Sequence, residues 1–497
     1  MAGLGNLAEY LNGVAFNPTD WTDAGTPIIR IQNLTDPSKK VNRTTRQVDP
    51  RLRIRDGDLL FSWSATLDAF LWHGEDAWLN QHIFKVEPDA RLVKQRFLYY
   101  LLRHAVREII QSEHIHGSTM QHINRGPFLS HRVALAPRKE QTRITEALDE
   151  LLSDLDAGVA ALERVREKLK LYRASVLKAA VEGALTAEWR TQHPHTEPAS
   201  ELLQRILAER RLQWEKEQLR KFKEKGQEPP TNWKAKYKQP VASDTTNLPP
   251  LPAGWCWATV EQVGEVRLGR QRAPQHHQGD HMRPYLRVAN VYEDRLDLTD
   301  VKQMNFTPHE FTTYALRYGD ILLNEGQSPE LVGRPALYRD EIVGCCYQKT
   351  LLRFRAYEGL IPPFALSVFR AYLHRGRFRK SANITTSIAH LAAERFLPIE
   401  FPLPPVAEQE SIVETVEDQL SVIDHLEGDL DTKRKSAQAL RQAILRHAFT
   451  GQLVQQDPND EPAAKLLERI AAEREARARD AAAAKEEPKR VIRRKKS

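Results

Sequence analysis

Any chemistry in this 497-residue chain would have to come from particular spacings of its 17 histidines, 3 cysteines and 66 acidic residues. The sequence contains no GxxxxGK[ST] loop to cradle phosphates, no HExxH helix and no Cys/His pattern with zinc spacing. An adenine-methylating site of the [DNS]-P-P-[FYW] type needs a first residue that can hydrogen-bond an amino group. The nearest string, Ile361-Pro362-Pro363-Phe364, begins with an aliphatic side chain and reads as an ordinary loop. His73, His82, His114, His116 and His122 read as surface or loop polar groups, and the Cys345-Cys346 pair as buried filler in a strand-like run. The pattern is that of a non-catalytic chain that holds no metal or cofactor of its own.

What the sequence does offer is groups able to read base edges or phosphates. In the first half these are Ser62, Ser64, Thr66, Gln81, His82, Ser118, Thr119, His122 and Arg125. In the second they are Asn324, Glu325, Gln327, Gln348, Lys349, Thr386, Ser387 and His390. Any one of them could equally cap a turn or face solvent. Arg30 and Asn33 recur as Arg287 and Asn290, which argues for a shared role in the fold or in phosphate contact rather than for reading different bases. Trp63, Trp72 and Trp78 read as core rather than as base stackers.

These groups sit in an internal repeat. Residues 118–186 match 386–454 at a constant offset of 268, with Glu140-Gln141 on Glu408-Gln409, Leu177 on Leu445 and Gly183 on Gly451. EPASELLQRILAER (197–210) lies on EPAAKLLERIAAER (461–474) at offset 264. Upstream, Gly13 pairs with Gly269, Gly57-Asp58 with Gly319-Asp320, and Gln81 with Gln348. The offset climbs from 256 at Gly13 to 268 and then holds, so insertions collect in the first part of each half. Loops tolerate insertions and helices in register do not. Each half therefore reads as a variable mixed α/β globule followed by a helical arm of fixed length.

Each arm opens at Pro137 or Pro405, with Glu140 or Glu408 in the first turn, and closes at Gly183 or Gly451 as C-cap. Apolar residues recur every three or four positions, the signature of a coiled-coil seam. The first seam runs Ile144, Leu148, Leu151, Leu155, Val159, Leu162, Leu169, Tyr172 and Val176. The second runs Ile412, Val416, Ile423, Leu426, Leu430, Ala437, Leu440 and Ile444. An arm of this length makes a rod of about 69 Å, longer than a globule about 37 Å across can cover. Two equal seams in one chain favour pairing of the arms with each other over an oligomerisation helix. The expected boundaries are globules at 1–136 and 251–404, arms at 137–189 and 405–455, a linker with one helix (about 198–222) at 190–250, and a helix with a basic tail at 456–497.

The net charge is +7 and the pI about 9.1, which fits a nucleic-acid partner, although six basic residues crowd into 489–497 alone. Three cysteines cannot frame a disulfide scaffold, the start lacks the basic region of a signal peptide, and no apolar run is long enough to span a bilayer. A reducing cytoplasm is the expected compartment.

Paired arms entered by Pro-x-x-Glu-Gln-x-x-Ile, their VLKAAVEGAL and ILRHAFTGQL exits, and the IRIQNL, GDLLFSWSA, NQHIFKV and GST strings together resemble the specificity subunits of Type I restriction–modification systems, over essentially the whole chain. The resemblance implies two target-recognition domains, each reading one half of a bipartite site in double-stranded DNA. It implies an antiparallel two-helix coiled coil between them, with pseudo-twofold symmetry, which sets the gap and docks two modification subunits. Those partners would bind S-adenosylmethionine and methylate adenine, and restriction subunits using ATP and Mg would cleave. Two readings compete with this one: a coiled-coil scaffold with ligand-binding globules, and an orphan or split specificity module. The first half also departs from the second, because nothing matches Leu251–Trp257. A start further upstream or loss of a leading strand is expected.

Overall fold

A computed structural model describes residues 1–111, 115–116, 122–385 and 387–486. The chain divides into two compact units, Met1–Glu163 with Asp431–Ser497, and Arg164–Leu430. The division cuts through both arm helices. The arms are therefore not a separate domain, as the expected boundaries had them: each unit owns the beginning of one arm and the end of the other.

Unit one is built on a four-stranded antiparallel sheet ordered Ala8–Asn12, Ile83–Pro88, Leu59–Ser62, Asp68–Leu71. A second sheet runs Asn42–Thr44, Thr26–Ile29, Ala77–Leu79, Arg53–Ile54 and contains one parallel pair, Ile28 against Trp78. Leu59–Ser62 is buried on both faces. Leu59 and Phe61 enter the core that includes helix Gln95–Gln111, and Leu60 enters a second core with Ile29 and Ile54, as the two-residue period of a strand requires. Unit two repeats this with Gly264–Leu268, Leu351–Ala356, Ile321–Asn324, Pro335–Leu337 in one sheet. Its other sheet is Lys302–Asn305, Met282–Leu286, Cys346–Tyr347. Ile321 and Leu323 face one core while Leu322 faces the other.

Several expectations are corrected. The strand begun by PIIRIQNL ends at Ile29, and Ile31–Thr35 is a short helix. Ile361-Pro362-Pro363-Phe364 is not a loop: it opens helix Pro362–His374, with proline where the missing N–H costs nothing. Gln81 does not correspond to Gln348. Gln81 N donates to Val14 O and Lys349 N to Arg270 O, each at 2.9 Å, so Gln81 matches Lys349 and Asn80 matches Gln348. The leading strand of the first half is represented by Ala2–Gly3. It pairs Ala2 with Val133 and Gly3 with Arg132, the register in which Ala258 and Thr259 meet Phe401 and Glu400.

The arms are helices Arg138–Val181 and Val406–Phe449. They run antiparallel within each unit. Asp156 pairs with Arg441 and Glu163 with Arg434 in unit one, while Arg173 pairs with Asp424 and Glu427 in unit two. The seam is not the continuous apolar stripe expected: Leu151, Tyr172, Leu426 and Leu440 are exposed. Burial passes instead to Leu152, Leu177, Leu420 and Leu445. Ile144, Leu148 and Leu152 join the core of unit one beside Leu445 and Phe449, and Ile412, Val416, Leu420 and Ile423 join that of unit two beside Val176 and Leu177. Apolar burial is thus concentrated where helices meet a globule, and a straight helix drifts off a strict heptad. The expected C-caps hold. Gly183 and Gly451 have φ of +70° and +75°, followed by Ala184 N to Ala179 O and Gln452 N to His447 O bonds.

Helix Ala199–Glu224 adds Leu202 and Ile206 to the core of unit two, and its repeat partner Ala463–Glu486 adds Leu466 and Ile470 to that of unit one. Among the described residues, no helix is long and apolar enough to cross a membrane, and no His/Cys/Asp/Glu group could hold a metal ion. Both Cys345 and Cys346 are buried, which pushes their thiols up to about 12.

One side chain anchors each arm. The Gln141 amide, fully buried, accepts from Lys94 N at 2.9 Å and donates to Leu92 O and Ala136 O at 3.0 and 2.9 Å. Gln409 does the same with Ile361 N, Gly359 O and Pro404 O at 2.8, 3.2 and 3.1 Å. Replacing either by leucine leaves three backbone groups unsatisfied in the interior. We expect Gln409→Leu to cost about 3 kcal/mol in a urea melt, whereas a change at an exposed seam position such as Leu426→Ala should stay within about 0.5 kcal/mol.

Candidate nucleic-acid interface

Three loops of each unit are tied together by the same backbone bonds. In unit one, Trp63 N donates to His82 O and Ile123 N to Trp63 O, both at 3.1 Å. In unit two, Glu325 N donates to Thr350 O at 3.0 Å and Leu391 N to Glu325 O at 2.8 Å. A small ladder completes each tripod: Ser64 bridges His122, which pairs with His116, while Gly326 pairs with His390, which pairs with Asn383. Identical main-chain scaffolds therefore present Trp63, His82 and His122 in one unit, and Glu325, Thr350 and His390 in the other.

Glycines let these loops close up. A Cβ on Gly13 would lie 2.1 Å from Asn80 O, and one on Gly269 would lie 2.3 Å from Gln348 O. The Gly-Asp pairs form the turns feeding the central strands, with Gly57 and Gly319 at φ of +86° and +89° and each aspartate accepting from the backbone three residues before it.

Of the side chains expected to contact DNA, Thr66, Gln81, Lys349, Ser387 and His390 are exposed on the tripod loops, with His82, His122, Glu325, Gln327 and Gln348 half-buried there. Glu325 and His390 make a 3.3 Å pair, and His82, at φ +73°, packs edge-on against Trp63. Others are used within the fold. Asn33 accepts from Arg30 N and donates to Lys39 O and Lys40 O; Asn290 accepts from Arg287 N and donates to Asp297 O and Asp300 O. Their recurrence is thus a loop-closing device, and Arg287 is paired with Asp300. Arg30 lies over Trp21, and Arg125 lies over Phe84 and donates to Tyr10 O. Ser62, Ser64 and Asn324 are buried beneath the loops. Ser118, Thr119 and Thr386 lie outside the described residues. Trp78 is core as expected. Trp63, expected there too, is only half-buried, with its Nε1 donating to Asn12, and it holds the hub position that spacing alone did not mark.

A second polar cluster lies in unit two, around a cavity of about 520 Å³ whose lining includes Arg173, Glu293, Asp294, Arg339, Arg370 and Asp424. Burial would raise the Glu293 pKa, but the His374 hydrogen bond and the Arg370 charge hold it down at about 2. Arg370 also binds Asp294, so the cavity wall is a closed ion-pair network.

Residues 2–164 match the family described as the Type I restriction modification DNA specificity domain. Over 425 residues, 80% of each chain, the protein is 28% identical to the EcoDI specificity subunit of a Type I restriction enzyme from Escherichia coli. It is 24% identical over 488 residues to the EcoBI specificity subunit of the same organism, covering 95% of this chain and 91% of the relative. Among solved structures, a chain from work on the complex assembly and conformational transition of the type I R-M system superposes with a TM-score of 0.57 at 16% identity, covering 91% of this chain and 97% of that one. That superposition supports the fold. Of the duplicated units with matched loop tripods, the first carries the match to a known DNA specificity domain in its N-terminal segment. The likeness to specificity subunits of Type I restriction enzymes thus runs along most of the chain, and the family model falls on residues 2–164.

Two outcomes follow from this geometry. Gly269→Ala should cost about 2 kcal/mol in a thermal melt, because the displaced Gln348–Lys349 backbone belongs to a packed interior. Glu293 contributes stability above about pH 4.5 that is lost as pH falls toward 2, because its folded pKa lies below its unfolded one. Glu293→Gln should therefore be less stable than the parent at pH 6, by up to about 3 kcal/mol, and the gap should shrink toward zero near pH 2.5.

Proposed function

We propose that each unit reads one half of a two-part target in double-stranded DNA, and that the antiparallel arm helices set the interval between the halves. The observation that carries this reading is the tripod. One main-chain scaffold built twice, with Trp63 and His82 on one copy answered by Glu325 and Thr350 on the other and a histidine (His122 or His390) on both, suits one docking geometry with two base preferences. Thr66, Gln81, Gln327 and Ser387 are the further side chains placed to reach a groove.

In this reading the arms also dock two modification subunits, which bind S-adenosylmethionine and methylate adenine within the target. Restriction subunits using ATP and Mg would join the same assembly in the cytoplasm. The chain supplies recognition and spacing, and its partners supply the chemistry. Support comes from the specificity-subunit relatives.

The test is an exchange. Replacing the first globule, residues 1–136, by its counterpart from a relative and mapping methylated adenines in the host genome should change one half of the target and leave the other half and the interval intact. Affinity of the assembled complex should fall steeply with salt, with a log–log slope of about −0.9 per phosphate neutralised. A methylation pattern altered in both halves, or affinity indifferent to salt, would remove the proposal.

A further inference from the structure

The loop that carries Glu325 and Gln327 opens at Asn324 and closes at Arg334, whose carbonyl accepts from Asn324 N at 3.2 Å. This rung follows Leu323 against Pro335 in the antiparallel pairing of Ile321–Asn324 with Pro335–Leu337. The equivalent rung of unit one sets Ser62 against Asp68. Asp68 has a partner there, because Arg103 of the long helix donates to it at 3.0 Å. The matching arginine of unit two is Arg370, six residues after Phe364 as Arg103 is six after Phe97. It takes its carboxylates from elsewhere, Glu293 at 2.9 Å and Asp294 at 3.0 Å. The rung position is then free to change sign, and where unit one has an aspartate unit two has an arginine.

Arg334 is half-buried, its Nε is wholly buried with no acceptor, and its side chain forms no hydrogen bond or ion pair with any described residue. Burial lowers its pKa, and the charges of Tyr292 and Glu293 oppose this only in part. Asn324, across the rung, is fully buried with neither amide atom partnered, so the foot of the loop is short of acceptors. A second unpaired cation stands close by. The hairpin of Val291–Tyr292 with Arg295–Leu296 is tied to the strand by Asp294 N donating to Pro335 O at 2.9 Å, and it brings an exposed Tyr292 and an exposed Arg295. The guanidiniums of Arg334 and Arg295 lie 4.6 and 4.9 Å from the centre of the Tyr292 ring. The carboxylates of the hairpin cannot serve them, because Glu293 is held by Arg370 and His374 and Asp294 by Arg370 and Arg339. Two guanidiniums that share one ring therefore lack an anion.

We propose that Arg334 and Arg295 together bind one phosphodiester of the DNA backbone, beside the base pairs that meet Glu325 and Gln327. The inference rests on the reading of unit two as a DNA-recognition unit, and adds to it the contact that fixes the loop on the duplex. Guanidinium forks match the two free oxygens of a phosphodiester. Such contacts position a protein on DNA without reading its sequence. DNA is the phosphate source favoured because Arg334 closes the same loop whose other residues face outward as Glu325 and Gln327. Unit one lacks the contact, because Asp68 stands in place of Arg334 and is already paired with Arg103. The site therefore occurs once per chain.

The test is a salt titration of DNA binding by the assembled complex, on duplexes that carry the target mapped from methylated adenines. The parent is compared with Arg334→Gln, Arg295→Gln and Arg334→Lys. Each glutamine variant should bind about tenfold more weakly, because a hydrogen-bonded charge pair is lost, with a log–log slope shallower by about 0.9. The weakening should be equal on target and unrelated duplexes, and the methylated sequence should not change. Arg334→Lys keeps the charge and should keep the slope. An arginine with a merely structural role would shift the urea melt and leave the slope alone. When a single neutral methylphosphonate is walked along the duplex, the penalty it imposes on the parent should vanish at one position in Arg334→Gln. A steep parent slope that both glutamine variants retain would overturn the proposal. So would saturable calorimetric binding of inorganic phosphate to the parent that Arg334→Gln removes without altering the DNA slope, since the site would then serve free phosphate. A parent affinity indifferent to salt would instead remove the DNA reading itself, and this inference with it, so the two failures are told apart.

Discussion

Everything in each half depends on how one arm helix is fastened to its globule, and a single buried amide does this. Gln141 and Gln409 each present one acceptor and two donors, and each satisfies a backbone N–H and two carbonyls drawn from the helix approach and from the turn before the globule's long helix. Such an amide tolerates little movement, because every group it binds is out of water and would be left unpaired by a shift. The direction in which each arm leaves its globule is therefore fixed locally. The apolar residues of the first turns then complete the globule's own core, which is why Ile144 and Ile412 are among the most buried residues of the arms.

Beyond the roots, the arms are held to each other by charge more than by oil. The matched pairs Asp156–Arg441, Glu163–Arg434 and Arg173–Asp424 fix an antiparallel register, while several leucines of the presumed seam face solvent. Exposed ion pairs contribute little individually, but they discriminate well between registers.

Duplication let the two halves share a scaffold and diverge in the side chains its loops carry. The tripod bonds among residues 63, 82 and 123 recur among 325, 350 and 391; Trp63 gives way to Glu325 and His82 to Thr350, while His122 recurs as His390. The same divergence reaches the arm roots. Glu408 is surrounded by an indole, a hydroxyl and a guanidinium, whereas Glu140 faces a cavity. Symmetry of the main chain thus coexists with asymmetry of the side chains packed around it.

The repeat, the helical arms with their glycine caps and the mixed α/β globules were all legible from residue types and spacing, because periodicity and turn chemistry act over a few residues. Three things were not legible. The partners of Asn33, Asn290 and the two clamp glutamines lie in other segments, so polar residues that looked fit to read DNA, or merely to begin a helix, turned out to hold loops. The seam was drawn from period alone and missed Leu152 and Leu420, because a globule packed against the helix decides which face is buried. The correspondence of Gln81 with Lys349 was hidden by a one-residue shift that only strand pairing resolves. Local sequence determined which elements form and in what order. Tertiary packing alone decided which polar groups are left for DNA, because burial and hydrogen-bond satisfaction depend on neighbours far away along the chain.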